Sequence, residues 1–139
     1  MRKTKLAAGL LVTVVLGFGA LSASAMTPAE FQKGLEVAAR ASTPGFGGFS
    51  AQRGEQFFKA KHGNDWSCST CHTENPLAPG RHATTAKDIA PLAPLANPQR
   101  FTDAAKVDKW FKRNCNDVLN RACSAQEQGD VLQYLMSLR

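Results

Sequence analysis

The segment Cys68-Ser69-Thr70-Cys71-His72 constrains this chain more than any other part of it. Two cysteines separated by two residues and followed at once by a histidine form the attachment motif of a c-type haem. In this motif the two thiols add to the haem vinyl groups and the histidine ligates the iron. The chain has only four cysteines and three histidines, so composition alone rarely produces the pattern. We therefore predict one covalent haem c, bound by Cys68, Cys71 and His72.

Two other interpretations of the motif are weaker. A thioredoxin-like redox pair requires a βαβ setting, and no Val/Ile-rich strand pattern adjoins the motif. A zinc site would need Cys115 and Cys123, whose spacing of eight matches no common zinc module.

The N-terminus has the pattern of a secretory signal peptide. Basic residues at positions 2, 3 and 5 precede an apolar stretch over residues 6–21, and Ala23-Ser24-Ala25 forms an A-x-A cleavage site. We predict a signal peptide over residues 1–25 and one domain over residues 26–139, with no membrane anchor after cleavage. Export to the periplasm agrees with the haem motif and permits disulfides, so we predict that Cys115 and Cys123 form one.

The charge balance argues against a nucleic-acid partner. The chain carries +6, but three basic residues lie in the signal segment, which leaves 14 basic against 11 acidic side chains. Two haem propionates would nearly offset that excess. Lys106, Lys109 and Lys112 recur at helical spacing, which indicates either a solvated helix face or a docking surface for an acidic redox partner.

Helical patterns dominate the chain, and no segment reads as a convincing strand. Cap residues predict four helices, over about residues 27–41, 50–62 and 102–113 and from residue 124 onward. Five prolines between residues 75 and 98 exclude a long helix there and predict an extended loop around the haem. The expected fold is all-α, a small helical domain wrapped around one haem.

Four segments of the chain resemble the sphaeroides haem protein family, a high-spin branch of the class I c-type cytochromes. They are IAPLAP at 89–94, NPQRFTD at 97–103, KWFKRNC at 109–115 and GDV at 129–131. The resemblance implies a class I cytochrome c fold, a disulfide beside the haem and electron donation by a dihaem cytochrome c. It also implies an asparagine as sixth iron ligand that leaves on reduction. By position, it implies His72 as axial ligand, Asn114 as labile ligand and a Cys115–Cys123 disulfide.

The sixth ligand can also be argued from the residues. Beyond the start codon the methionines are Met26, at the predicted mature N-terminus, and Met136, off the inward face of the last helix. Helical geometry places Asn114 between Trp110 and Phe111 on a face predicted to point inward. We therefore expect Asn114 at the iron, with Trp110 as a haem contact.

Other assignments stay open at this point. His62 and His82 are rival ligands because imidazole binds iron well, and water or Lys87 are further candidates. Asn114 could instead cap the end of its helix in the left-handed conformation. Trp110 could be an ordinary core residue.

The sequence thus favours a periplasmic monohaem cytochrome that accepts one electron and binds O2, NO or CO when reduced. An amide is a weak neutral ligand, so its bond to iron should depend on the oxidation state. The alternatives are a plain electron shuttle with a closed iron and a haem reductase of oxygen or nitrogen oxides. No distal acid–base pair accompanies Asn114, so we rank an enzyme below a binding protein.

Overall fold

The computed structural model describes residues 25–139, and the predicted signal peptide lies outside the described residues except for Ala25. The elements in order are α1 (Pro28–Ser42), α2 (Ala51–Lys59), α3 (Ser69–His72), β1 (Gly80–Arg81), β2 (Asp88–Ile89), α4 (Ala104–Leu119) and α5 (Ala125–Ser137). β1 and β2 form an antiparallel pair. Within residues 25–139, no helix has the length and apolar character to cross a membrane.

Helices α1 and α5 begin at the capping boxes that the sequence predicts. In α1 the Thr27 hydroxyl accepts from the Glu30 N–H, while the Thr27 N–H donates to the Glu30 carboxylate at 2.7 Å. In α5 the Ser124 N–H donates to the Glu127 carboxylate at 2.7 Å, and the Ser124 hydroxyl accepts in return. Both boxes satisfy donors that a helix start leaves unpaired.

Helix α2 ends earlier than predicted. It stops at Lys59 rather than near His62, because Ala60 is extended. The His62 Nε2 lies 2.9 Å from the Phe57 carbonyl oxygen in the last turn of α2. The imidazole thus satisfies one of the carbonyls that a helix C-terminus leaves unpaired.

Helix α4 is longer than predicted. Asp103 rather than Thr102 is its N-cap, because the Asp103 carboxylate accepts from the backbone of the first turn. The helix continues to Leu119, and Asn120 ends it in the left-handed conformation at φ 59°. The residue that caps α4 is therefore Asn120, and the interpretation of Asn114 as the cap is wrong.

The expectation of no strand is also wrong, although the two strands are only two residues long. β1 lies directly against α3, where a Cβ on Gly80 would sit 2.1 Å from the carbonyl oxygen of Cys71. Only glycine permits this approach, and it brings the hairpin onto the haem motif. The rest of the proline-rich stretch is irregular, as predicted.

Helix α5 is the centre of the core because it contributes to both clusters of buried side chains. It packs against α2 on one side and α1 on the other. The first cluster is Phe58, Val131, Tyr134 and Leu135, and the second is Phe31, Val107 and Leu132.

Helices α2 and α5 touch through their backbones at Gly54. A Cβ at this position would lie 1.9 Å from the Asp130 carbonyl oxygen. The Asp130 side chain, only 5% exposed, ties the same junction together. Its carboxylate accepts from the Ser50 N–H at 2.7 Å and from two nitrogens of Arg53 at 2.8 Å. These charge-assisted bonds fix the start of α2 on α5.

The substitution Gly54→Ala should destabilise the haem-loaded protein by about 1 to 3 kcal/mol or more, because the two backbones must separate. Gly34→Ala in α1 is the matched control, since a Cβ there meets no atom within 4 Å. The control should leave stability unchanged or raise it by about 0.5–1 kcal/mol. Denaturant unfolding measures both, and equal stability of the two variants would contradict the packing argument.

A disulfide joins Cys115 in α4 to Cys123 just before α5, with the two Cα atoms 5.6 Å apart. Cys115 is buried, so the bridge holds the last turns of α4 against the segment that starts α5.

Replacing both Cys115 and Cys123 by serine should lower the free energy of unfolding by about 2 to 3 kcal/mol, the loop-entropy value for a nine-residue loop. Denaturant unfolding with and without a dithiol checks this. Dithiol should weaken the wild type by the same amount and leave the double variant unaffected. A double variant as stable as the oxidised wild type would refute the expectation.

Candidate haem-binding site

The attachment motif is a single helical turn that its neighbours hold closed. The Ser67 hydroxyl accepts from the Thr70 N–H at 3.1 Å, and the Thr70 hydroxyl accepts from the Ser67 N–H at 3.0 Å. The His72 N–H donates to the Cys68 carbonyl at 3.0 Å. Residues at positions i, i+3 and i+4 share one side of a helix, so Cys68, Cys71 and His72 lie together.

A network of buried hydroxyl groups stabilises this turn. Ser67 and Ser69 are 6% and 8% exposed, and their hydroxyl oxygens lie 2.8 Å apart. The Ser69 hydroxyl also donates to the Glu74 carboxylate at 2.8 Å. No local sequence pattern predicts this network, because the hydroxyls bond to one another and to Glu74 and do not form a standard helix cap.

The two motif thiols are free and lie in different surroundings. Cys68 packs against the first core cluster, and burial raises the pKa of its thiol to about 11. The Cys71 Sγ accepts from the Ala83 N–H at 3.3 Å, in the turn that follows β1. One thiol therefore faces the core and the other faces the hairpin.

The His72 imidazole is held neutral. Burial lowers its pKa to about 4, and the cation of Arg100 lowers it further in the same direction. At physiological pH the ring therefore carries no charge, which is the form of histidine that ligates a metal.

Trp110 and Asn114 form an uncovered stripe on α4. The side chain of Trp110 is 47% exposed, and Asn114 is exposed as well. Yet Asn114 lies only about 20° from Val107 and about 40° from Val118 around the axis, at 100° per residue. Both valines are buried. The expectation that Asn114 points into a protein core is thus wrong for the polypeptide alone.

The reason is that α4 is anchored at its two ends. Val107 joins the second core cluster at one end. At the other end the Asn64 N–H donates to the Val118 carbonyl at 3.3 Å, and the Asn64 amide donates to the Asp117 carbonyl at 2.7 Å. Between these anchors the Asn114 carboxamide makes no hydrogen bond to any residue in 25–139.

A neutral imidazole, two free thiols, a tryptophan that needs covering and an unbonded carboxamide fit a haem and its two iron ligands. The residues present therefore suit the cofactor that the motif predicts.

The rival histidines already have partners. The His62 ring bonds to the Phe57 carbonyl and packs on the Phe57 ring, with centroids 4.6 Å apart. The His82 Nδ1 accepts from the Thr84 and Thr85 N–H groups at 3.2 and 3.3 Å. His62 closes a helix end and His82 shapes a turn, so both have structural roles.

Neither methionine within residues 25–139 is placed with the stripe on α4. Met26 and Met136 both pack against the second core cluster, which is built from Phe31, Val107 and Leu132. This packing explains both thioether side chains without an iron ligand role.

Comparison with known proteins gives the family. Residues 44–135 match a protein family described as a domain of unknown function, DUF1924. The cytochrome c-type protein SHP of Cereibacter sphaeroides is 39% identical over 130 residues, covering 91% of this chain and 95% of SHP. Cytochrome c'' of Methylophilus methylotrophus is 42% identical over 80 residues, which are 58% of this chain and 56% of that protein.

The solved structures of these relatives have the same fold. Oxidised SHP, an oxygen-binding cytochrome c, superposes with a TM-score of 0.71 at 39% identity, over 82% of this chain and 99% of SHP. Oxidised cytochrome c'' gives a TM-score of 0.74 at 34% identity, over 81% and 94%. The predicted all-α cytochrome c fold is confirmed. This chain belongs to the sphaeroides haem protein family of c-type cytochromes, whose members carry covalent haem c.

Proposed function

We propose that this chain is a periplasmic monohaem cytochrome that binds a small diatomic molecule, O2 or NO, at the iron after accepting one electron. In this proposal residues 1–25 are removed on export and residues 26–139 form the haem domain. Cys68 and Cys71 attach the haem, and His72 and Asn114 are its iron ligands. When bound, the haem supplies an iron that changes between the ferric and ferrous states.

The observation that carries the proposal is the position of Asn114, which lies near the exposed Trp110 on the side of α4 whose two ends are buried at Val107 and Val118. A buried polar side chain normally has a hydrogen-bond partner, so a haem covering this stripe would leave Asn114 in need of one. The iron provides that partner while the carboxamide stays in place.

The two proposed iron ligands, His72 and Asn114, have different roles. His72 is the permanent ligand in both oxidation states, because imidazole binds iron more strongly than a neutral carboxamide does. Asn114 is the weaker ligand and leaves on reduction. Its freed amide N–H is then in place to donate a hydrogen bond to a bound diatomic molecule.

Two relatives support this assignment by what is described for them. The SHP structure is that of an oxygen-binding cytochrome c. The solution structure of cytochrome c'' addresses haem-ligand detachment. Release of an iron ligand and binding of a diatomic molecule are therefore chemistry that this fold accommodates.

Asn114→Ala should change the oxidised spectrum from that of a six-coordinate haem to that of a five-coordinate haem, because the sixth ligand is removed. The reduced wild type should bind carbon monoxide, and the reduced variant should bind it as well. Absorption spectra of both proteins, oxidised and reduced, with and without the gas, measure this.

Asn116→Ala is the matched control, since Asn116 lies on the other side of α4 and should change no spectrum. His62→Ala and His82→Ala should likewise keep the wild-type spectra. An Asn114→Ala variant with an unaltered oxidised spectrum would exclude Asn114 as ligand. A reduced wild type indifferent to carbon monoxide would leave a plain electron shuttle.

We also propose that a dihaem cytochrome c delivers the electron at the basic face of α4. Lys109 and Lys112 are exposed, and among residues 25–139 neither ammonium has a carboxylate oxygen within 4 Å. Unpaired cations on an exposed helix face favour an acidic partner surface.

Replacing Lys109 and Lys112 by glutamate should slow reduction by a dihaem cytochrome c about tenfold at low salt, because steering is reversed. Added salt should shrink the difference. Lys33→Glu on the exposed surface of α1 is the control and should leave the rate unchanged. Stopped-flow reduction measures the three rates, and equal effects of the α4 and α1 changes would place docking elsewhere.

A further inference from the structure

Arg100 differs from the other arginines in residues 25–139. It is partly buried, and no carboxylate oxygen in that range lies within 4 Å of its guanidinium. By contrast, Arg53 and Arg121 each bind a carboxylate at 2.8 and 2.7 Å. Burying a cation without an anion is costly, so the position calls for a negative partner.

The guanidinium is oriented by two backbone carbonyls. Its Nε donates to the Pro91 carbonyl at 3.0 Å, and its Nη2 donates to the Ala90 carbonyl at 2.7 Å. These contacts use one edge of the guanidinium and leave three of its five N–H groups free. The free edge carries one N–H on each terminal nitrogen, which is the geometry that binds a carboxylate with two parallel hydrogen bonds.

The backbone next to Arg100 is strained in a way that fixes this position. Phe101 has φ at 62°, in the left-handed region that bulky residues avoid. Its ring packs against both core clusters and lies 6.4 Å from the Phe111 ring on α4. The strained residue is therefore held by the core, which fixes the backbone position from which the Arg100 side chain reaches the Ala90 and Pro91 carbonyls.

The backbone next to Arg100 packs beside the attachment motif. Leu92 follows the Pro91 carbonyl that accepts from Arg100, and it packs against the first core cluster. Phe101 packs on the same core cluster as Cys68. An anion on the free edge of Arg100 would thus lie beside the haem, whose two propionates are the anions that a c-type haem always brings.

We propose that Arg100 binds a propionate of the haem through the free edge of its guanidinium. Nothing in the family assignment specifies this contact, and it does not depend on whether Asn114 leaves the iron. The pair holds the loop over residues 90–101 on the cofactor. It also keeps a positive charge near the iron, which disfavours the ferric state and raises the reduction potential.

The test compares the reduction potentials of three haem-loaded variants with that of the wild type. Arg100→Gln should shift the ferric-to-ferrous ratio at a fixed applied potential about tenfold toward ferric, a fall of about 59 mV for one electron. Arg100→Lys keeps the charge and should shift the ratio less. Arg81→Gln is the matched control, because the Arg81 Nε also bonds to a backbone carbonyl, at 2.9 Å from Ala86, yet its side chain is exposed. It should leave the potential unchanged.

A potential of Arg100→Gln equal to that of Arg81→Gln would overturn the proposal and leave Arg100 as a loop contact only. Should Arg100→Gln fail to take up haem, a crystal structure of the haem-loaded wild type decides. It should show an Arg100 nitrogen about 2.7–3.2 Å from a propionate oxygen. A separation beyond hydrogen-bond reach would refute the contact. Carbon monoxide binding by the reduced Arg100→Gln variant should match the wild type, which separates this inference from the role of Asn114.

Discussion

The backbone contact between Gly54 and Asp130 is the constraint on which the rest of the structure depends. It sets the distance between α2 and α5, and α2 leads through a short segment into the attachment motif. Cys68 packs on the cluster that α2 and α5 form together, through Phe58 and Tyr134. Moving either helix would move the surface on which the first thiol rests. The contact between the Gly54 and Asp130 backbones thus fixes the position of Cys68, one of the two cysteines that attach the cofactor.

The polypeptide does not complete its own core. A domain of about 115 residues buries a modest share of its surface, and this one leaves the Trp110 ring half exposed while flanking valines are buried. A haem placed over this ring would therefore complete the core as well as supply an iron. Covering Trp110 with an apolar macrocycle would bury area worth roughly 25 cal/mol per Å². This explains why so small a helical domain can leave one side of α4 open.

The parts of the structure that the sequence predicts best are governed by neighbouring residues. The capping boxes at Thr27 and Ser124 involve partners three positions away, so a pattern in the chain is sufficient to find them. The end of α4 depends on whether Asn120 adopts the left-handed conformation. A mid-chain asparagine does not by itself predict that conformation, so the helix ends six residues later than the sequence indicates.

The parts that the sequence did not predict involve partners far apart in the chain. The Asp130 carboxylate accepts hydrogen bonds from Ser50 and Arg53, which lie 80 and 77 residues away in the chain. No local sequence pattern predicts these contacts. The exposure of Asn114 could not be predicted for a related reason. Helical geometry gives the side of α4 on which a residue lies, but only the positions of the other helices decide whether that side is covered. The partial burial of Arg100 could not be predicted either, because a single arginine in a proline-rich loop has the sequence pattern of an ordinary solvated side chain.

The anchoring of α4 at both ends has a consequence for how fast the site can respond. Val107 is fixed in the core, and the C-terminal turns are fixed by the disulfide at Cys115 and by Asn64. When the Asn114 carboxamide exchanges one partner for another, only its two side-chain bonds need to rotate. The axis of α4 can stay in place. Rotamer changes of exposed side chains take picoseconds to nanoseconds, whereas helix displacements take microseconds to milliseconds. If Asn114 is the labile ligand, the protein framework therefore imposes almost no delay of its own, and the rate of opening depends on the strength of the bond between Asn114 and the iron.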